Sequence, residues 1–374
     1  MPQLPSLSIS DNHETRFLLF DPLETLWDQA VHLEAGSTGA GNSRTVTEPS
    51  GQIVLVVDGH VLASHRGRID AAFPGAADRC FEVPPGEGSK SVAMWSRILD
   101  FAFSGPLKRN TPLVAIGGGV TGDLAGFAAA SLMRGLPLYH VPTTLLAMVD
   151  SAVGGKTGIN HRFGKNTIGA FYHPRAVLFD TAFLDTLPQR EWLCGISEVL
   201  KYGYIADPEL LEKGAALADP HTRTPEMLQD VIERSVRIKS GIVASDAREQ
   251  GRRAWLNFGH TFGHALETLD NYRNINHGEA VYAGMIAALF VARHLGHDVT
   301  DEPLLKLKTK YSLNLDPYTS HAAELVTLMA HDKKNRDRDI RLVLVEGLGR
   351  PVVTGISDPA LLHDAWHYTF ETLS

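Results

Sequence analysis

The stretch RAWLNFGHTFGHALE, running from Arg253 to Glu267, reads as one helix carrying two histidines four positions apart, His260 and His264. That spacing puts both imidazoles on one helical face, with Asn257 about a turn before His260 and Arg253 a turn earlier. Leu256, Phe262, Ala265 and Leu266 supply the apolar positions that pack the helix down. A helical histidine pair either offers imidazoles to a metal or forms a solvated polar face. This pair has company, because the chain soon reaches His277-Gly278-Glu279, which opens the apolar run Ala280 to Ala292. Interrupted by Tyr282 and Gly284, that run is too short to span a bilayer and reads as a buried helix.

The rest of the chain fits a globular enzyme. Its 374 residues suffice for two domains, and 44% hydrophobic with 21% charged residues is ordinary soluble-protein composition. A net charge of -8 with no basic tract argues against nucleic acid as a partner, so an anionic substrate must meet local cation clusters. Two cysteines, Cys80 and Cys194, are too few for a disulfide framework and point to a reducing compartment. The N-terminal segment MPQLPSLSISDNHE lacks the basic start and apolar core of a signal peptide, which points to the cytoplasm and away from a membrane.

The first half reads as α/β. Within residues 1–50, FLLF from Phe17 is a strand candidate and PLETLWDQAVHLEA a helix, followed by a Gly/Ser/Thr-rich loop from Gly36 to Gly51. IVLVVDG from Ile53 is a buried parallel strand ending in Asp58, an acid placed either to meet a ribose hydroxyl or to cap the next turn. A polar loop with Glu87 and Lys90 precedes a helix expected from Ser91. The strand Pro112 to Ile116 feeds Gly117-Gly118-Gly119-Val-Thr-Gly122-Asp123 and then a helix, LAGFAAASLMRG. Glycines where a strand turns into a helix leave backbone N–H groups free for a pyrophosphate. Leu138 to Val141 is the next strand, with Thr143 and Thr144 at the same edge. No acid follows some twenty residues on, so the fold is not a standard dinucleotide-binding half.

Asp150, the Gly154-Gly155-Lys156 turn and Gly164-Lys165-Asn166 bring glycines beside lysines, as an anion site requires; surface lysines in a flexible loop are the alternative. A strand from Ala176 to Phe179 closes this half, and Leu187-Pro188 reads as the domain boundary. Beyond it the pattern is helical. Glu198 and Lys201 lie three apart on one helix face, a spacing that also suits a surface salt bridge. Ile232 to Ala244 is an amphipathic helix carrying Lys239, a charged turn with Glu249 leads to Arg253, and Leu325 to Met329 precedes Lys333 and Lys334. Ile340 to Val345 reads as a strand. A phosphate loop, a carboxylate, three histidines and many cations together suggest alcohol oxidation by a nicotinamide beside a metal, on a small polyanion such as a phosphorylated sugar acid.

Several long motifs make the chain resemble the sugar phosphate cyclases, and within them the 3-dehydroquinate synthase family. They are GGGVTGDLAGFAAASLMRG (117–135), VPTTLLAMVDSAVGGKTGIN (141–160), GKNTIGAFYHPRAV (164–177), SEVLKYG (197–203), LNFGHTFGHALE (256–267), HGEAV (277–281) and DKK (332–334), within roughly residues 51 to 355. The resemblance implies an α/β NAD-binding domain over residues 1–186, a mostly helical metal- and substrate-binding domain over 187–374, an active site in the cleft, and a homodimer. It implies a divalent metal, normally zinc with cobalt as an alternative, held by Glu198, His260 and His277, with His264 binding substrate instead. Asp150, Lys156, Lys165, Asn166, Lys201, Lys239, Glu249, Arg253, Asn257 and Lys333 or Lys334 match substrate-binding and catalytic positions, and Arg134 matches a residue that reaches the neighbouring subunit's phosphate site. Asp58, Glu87, Lys90, Gly118, Gly119, Asp123, Thr143 and Thr144 match NAD contacts. Ala247, where the family usually has an acid, and the first fifty residues depart from the pattern.

The reaction so implied is that of an NAD- and metal-dependent carbon–oxygen lyase. It converts 3-deoxy-D-arabino-heptulosonate 7-phosphate to 3-dehydroquinate and phosphate, in the shikimate pathway of aromatic amino-acid biosynthesis. The alternative is a relative that cyclises sedoheptulose 7-phosphate or glucose 6-phosphate. Those substrates lack the carboxylate, and such relatives tend to alter the residues matching Arg253, Asn257, His264, Lys333 or Lys334, all intact here.

Overall fold

A computed structural model of the chain describes residues 7–10, 13–36, 53–246, 251–330 and 339–374, and these divide between two compact units, Met1–Leu187 and Pro188–Ser374. The loop expected at 36–51 and the site candidates Glu249, Lys333 and Lys334, with Ala247, lie outside the described residues.

Unit 1 is built on a sheet whose strands are β1 (Leu7–Ser10), β2 (His13–Leu19), β3 (Val54–Asp58), β4 (Cys80–Val83), β5 (Leu113–Gly117), β6 (Leu138–Pro142) and, after a separate hairpin of β7 (Lys156–His161) and β8 (Gly164–Phe171), β9 (Ala176–Phe179). Their order is β1-β2-β9-β6-β5-β3-β4, parallel throughout except for β1 at the edge. Helices α1 (Leu23–Gly36), α2 (Gly59–Ala72), α3 (Val92–Phe103) and α4 (Gly119–Ser131) make the crossovers. Both sheet faces are covered, so β3 is apolar from Val54 to Val57: Leu55 and Val57 pack with Trp27 and Ile69, while Val54 and Val56 pack with Ile98 and Leu124. From β3 the chain moves outward to β4 and then returns to the other side of β3 as β5. The C-terminal ends of β3 and β5 therefore flank a topological switch point, where open α/β sheets bind ligands.

One expectation for this unit changes, and one alternative drops out. The helix after the glycine-rich turn starts at Gly119 and ends at Ser131, earlier at both ends, because Gly118 already serves as its N-terminal cap. Met133 and Arg134 then adopt left-handed conformations, φ 52° and 65°, in a short turn that stops the helix. Lys156 to Asn166 is not a flexible loop, since Thr157, Gly158 and Ile159 of β7 pair in register with Ala170, Gly169 and Ile168 of β8. Glycines at 158 and 169 allow that pairing to be tight: a Cβ on Gly169 would meet the Thr157 carbonyl oxygen at 2.2 Å.

Unit 2 is mostly helical, with α5 (Gln189–Ile205), α6 (Glu209–Leu217), α7 (Pro225–Ser245), α8 (His260–Leu269), α9 (His277–His294), α10 (Glu302–Leu305), α11 (Lys308–Tyr311), α12 (Ala322–Ala330) and α13 (Pro359–Leu373). An antiparallel hairpin, β10 (Ile340–Val345) and β11 (Pro351–Ile356), completes it. Helix α9 is the hub, packed by α5, α8, α13 and β10, which is why its apolar run is buried from Gly278 to Leu289. Among the described residues no helix is long and apolar enough to cross a membrane. The expected single helix over 253–267 is broken: Arg252–Asn257 forms a 3-10 segment, and Gly259, at φ 77°, turns the chain into α8. Only glycine serves there, because a Cβ would stand 2.9 Å from the Val281 carbonyl oxygen as well as forcing a left-handed side chain.

Candidate active site

Three helices of unit 2 meet because glycines remove the side chains that would hold them apart. A Cβ on Gly278 would lie 2.3 Å from the Cys194 Cα of α5, and one on Gly284 would lie 2.1 Å from the Gly259 carbonyl oxygen. The chain approaching α9 is fixed by Asp270, which accepts from the backbone N–H groups of Arg273, Asn274 and Ile275 at 2.6–3.0 Å and from the Tyr318 hydroxyl at 2.6 Å. Asn276 and Glu279 then form a capping box, and Arg190 grips both Glu279 oxygens at 2.6 Å. So placed, His277 opens α9, His260 opens α8, and Glu198 projects from the middle of α5.

These three side chains form one cluster. Glu198 Oε1 lies 3.5 Å from His260 Nε2 and 3.6 Å from His277 Nε2. Tetrahedral ligands about 2.0–2.2 Å from a zinc ion stand about 3.3–3.6 Å apart, so the separations already match a metal's coordination sphere. The remaining ring nitrogens are engaged as metal-ligating histidines require: His260 Nδ1 is 3.1 Å from the Phe258 carbonyl oxygen, and His277 Nδ1 is 3.6 Å from Glu267 Oε2. One carboxylate and two imidazoles whose outer nitrogens are braced from behind form a donor set that fits zinc or another borderline divalent ion. Burial works against protonation of His277, but Glu198 and Glu267 outweigh it and raise the imidazole to about 10; burial holds His260 well below its ordinary value.

Glu198 and Lys201 are not a surface salt bridge. Their side chains are 0% and 1% exposed, and the Lys201 ammonium donates to Glu198 Oε2, leaving Oε1 to face the histidines. His264 stands on the exposed face of α8, its ring 5.4 Å from that of His260 and 6.3 Å from that of His277. It groups with Glu267 and His277 rather than with Glu198. Arg253 is buried in the 3-10 segment and Asn257 half-buried at its end, so the break at Gly259 separates these two from the histidines' helix. Lys239 is buried on α7, and Asp246 bridges to the segment after it by accepting from the Gly251 and Arg253 N–H groups.

Unit 1 assembles the other candidates at its sheet's C-terminal edge. Asp58 caps α2, accepting from the His60 N–H at 2.9 Å, which realises the capping alternative. Lys90 pairs with Asp123 at 2.7 Å, its carbonyl accepts from the Asn160 N–H, and Asn160 donates to Glu87 at 2.7 Å, with Lys165 4.0 Å from the same carboxylate. The loop at Glu87 is thus tied to the β7–β8 hairpin, and Asn166, at φ 52°, donates its N–H to Asn160. Asp150 sits in a one-turn π-helix, Ala147–Ser151, and Lys156 is exposed at the start of β7. Beside them Gly118 and Gly119 lie so close to Thr144 and Ser151 that a Cβ on either would meet those side chains at 3.1 Å. Thr143 is 2% exposed and its hydroxyl oxygen has no partner among the described residues. Free helix N–H groups, a backbone bare of Cβ atoms and an unsatisfied hydroxyl fit a dinucleotide's phosphates. Arg134 lies apart, exposed on its left-handed turn.

Sequence reading missed Glu267 and Phe258 as supports of the histidines. Glu267 was legible as the residue three after His264, but only the fold shows that it reaches His277.

The family model for the 3-dehydroquinate synthase N-terminal region matches residues 80–194, and that for the 3-dehydroquinate synthase C-terminal region matches residues 195–335. A curated 3-dehydroquinate synthase of Salinibacter ruber is 43% identical over 350 residues, 90% of this chain and 94% of that protein. Its counterpart in Nitrosococcus oceani is 46% identical over 86% of this chain and 91% of its own length. Among solved structures, 2-epi-5-epi-valiolone synthase of Streptomyces hygroscopicus with NAD+ and Zn2+ bound superposes with a TM-score of 0.76 at 26% identity, covering 88% of this chain and 94% of the other.

Proposed function

The chain belongs to the 3-dehydroquinate synthase family, and on that premise we propose that it cyclises 3-deoxy-D-arabino-heptulosonate 7-phosphate to 3-dehydroquinate with release of phosphate. The observation that carries this reading is the cluster of buried Glu198 with half-buried His260 and His277, whose outer ring nitrogens are already braced.

NAD held at the glycine-rich turn of unit 1 would supply reversible hydride transfer at C5 of the sugar, and a divalent metal held by Glu198, His260 and His277 would acidify the C5 hydroxyl. The chain's own residues prepare both. Lys201 turns Glu198 Oε1 toward the histidines, and Glu267 and Phe258 direct the two Nε2 atoms to the same point. The glycine-rich turn, Thr143, Thr144 and Asp123 hold the dinucleotide in unit 1, with Asp58, Glu87 and Lys90 beside them. Oxidation at C5 makes a ketone that acidifies the C6 proton; loss of that proton lets the C7–O bond break toward phosphate. After the ketone is reduced, the ring opens and closes again by an aldol step, forming the carbocycle with no net redox change. Asp150, Lys156, Lys165, Asn166, Lys239 and Glu249 serve the substrate. Arg253 and Asn257, with Lys333 or Lys334, offer more cationic and amide donors than one phosphate requires, so they take the sugar-acid carboxylate.

The donor set favours zinc. Two free thiols, Cys80 and Cys194, fit a reducing cytoplasm. The exposed, left-handed Arg134 fits a homodimer in which it serves the partner's site.

A phosphate-release assay on three sugars tests the reading. Rapid release from 3-deoxy-D-arabino-heptulosonate 7-phosphate, without NADH build-up, and little from sedoheptulose 7-phosphate or glucose 6-phosphate is expected. Arg253→Ala should cost about ten- to a hundredfold on the first sugar only, the worth of a hydrogen bond to a charged group. Faster turnover of sedoheptulose 7-phosphate would assign the chain to another cyclase.

A further inference from the structure

His140 is a buried titratable side chain that the reaction above does not use. It lies on β6, opposite Ala115 of β5 and Val177 of β9, and points to the same sheet face as Leu138, toward α4. Only 7% of it is exposed, yet among the described residues it makes no hydrogen bond or ion pair. Burial lowers its pKa to about 4, so near neutral pH the ring is uncharged and keeps one N–H donor and one acceptor nitrogen.

The ring lines a niche of about 10 Å³, room for one water-sized group, together with Gly117, Gly118, Gly119, Gly122 and Ser151. Gly122 makes room for it, since a Cβ there would press on the imidazole at 3.2 Å from both Cε1 and Nδ1. A niche of that size takes a single oxygen-sized atom, such as one oxygen of a phosphate, and no larger part of a cofactor. It opens beneath the N-terminus of α4, a 13-residue helix whose first N–H groups and dipole favour an anion. His140 itself lines the niche, so a group that enters can accept a hydrogen bond from the ring N–H.

We propose that His140 is a dinucleotide-binding residue, its imidazole donating a hydrogen bond to a pyrophosphate oxygen held at the Gly117–Gly122 turn. This rests on the dinucleotide role of unit 1, and it adds a side-chain donor from the sheet to a site otherwise made of backbone and helix N–H groups. No other side chain on β6 could do this, because Tyr139 and Val141 face the opposite core.

Calorimetric binding of NAD and of ADP-ribose to the wild type, His140→Leu and His140→Gln tests it. In His140→Leu both ligands should bind about tenfold more weakly with thermal stability unchanged, and His140→Gln, which retains an N–H donor, should recover most of the affinity. A loss confined to NAD would place the bond on the nicotinamide and overturn the pyrophosphate assignment, and equal affinities across the variants would overturn any contact. Should His140→Leu fail to fold, 15N-histidine spectra of the wild type decide: ADP-ribose must shift one His140 ring nitrogen, and unchanged shifts refute the proposal. If the wild type binds neither ligand, the dinucleotide role of unit 1 fails instead.

Discussion

Ser197 donates a 2.7 Å hydrogen bond to the carbonyl oxygen of Gly278, while the Gly278 N–H donates to Cys194 Sγ one turn earlier on α5. The residue that follows His277 is thereby fastened at both its backbone groups to the helix that carries Glu198. The Ser197 oxygen also lies 2.7 Å from the Tyr311 hydroxyl, so the brace is continued into α11.

Gly278→Ala tests that brace. Its Cβ meets backbone rather than a flexible side-chain end, so the helices must separate. Overpacking of this kind costs about 1–3 kcal/mol. We expect a lower melting temperature and weaker metal retention together, measured by calorimetry and metal analysis. Full metal occupancy would show that the ligands tolerate helix separation.

The two histidines of α8 should behave differently. His260→Ala and His277→Ala should lose bound metal and activity together, by more than about a hundredfold, whereas His264→Ala should keep the metal and raise KM about tenfold. Metal analysis beside steady-state kinetics separates these outcomes, and full metal in His260→Ala would remove it from the ligand set.

Glu267→Gln should weaken metal binding by about ten- to a hundredfold without unfolding the unit, because the amide cannot hold the His277 ring as a carboxylate does. Competition with a chelator measures the loss, and the visible spectrum of the cobalt-loaded protein reports whether the ligand geometry has shifted. An unchanged affinity and spectrum would make Glu267 a bystander.

Asp270 predicts an acid dependence of stability. Burial alone would raise its carboxyl, but the hydrogen bonds from Ile275, Tyr318 and Asn274 outweigh burial and hold it at about 2. A folded-state pKa below the unfolded value stabilises above the unfolded pKa, and the benefit is lost as pH falls through the folded one. The carboxylate should therefore contribute on the order of 2 kcal/mol near neutrality, fading between about pH 4 and about pH 2. Urea unfolding of wild type and Asp270→Asn should differ at about pH 6 and converge toward about pH 2. A gap independent of pH would place the effect in packing instead.

The parallel strands were legible because a sheet covered on both faces writes itself as unbroken apolar runs, as at 53–57 and 112–116. His260, His277 and Glu198 were legible by their types and motifs. The break at Gly259 was not, since a helix-compatible pattern on both sides hides one left-handed residue whose need comes from α9 packing against it. Burial of the Glu198 and Lys201 pair was equally hidden, because a three-residue spacing says which face two charges share and nothing about what covers it. Support of His277 by Glu267 spans a turn and a loop, a relation that spacing along one helix does not encode.

The three donors lie 62 residues (260 − 198) and 17 residues (277 − 260) apart along the chain. An ion seated among them closes two loops at once, removing freedom from the unfolded chain as a covalent cross-link does, with a gain that rises only logarithmically with loop length. In a chain with just two thiols, both unpaired, an ion bound there for chemistry would also tether unit 2. Chelation should make α5, α8 and α9 the first backbone to exchange its amide protons.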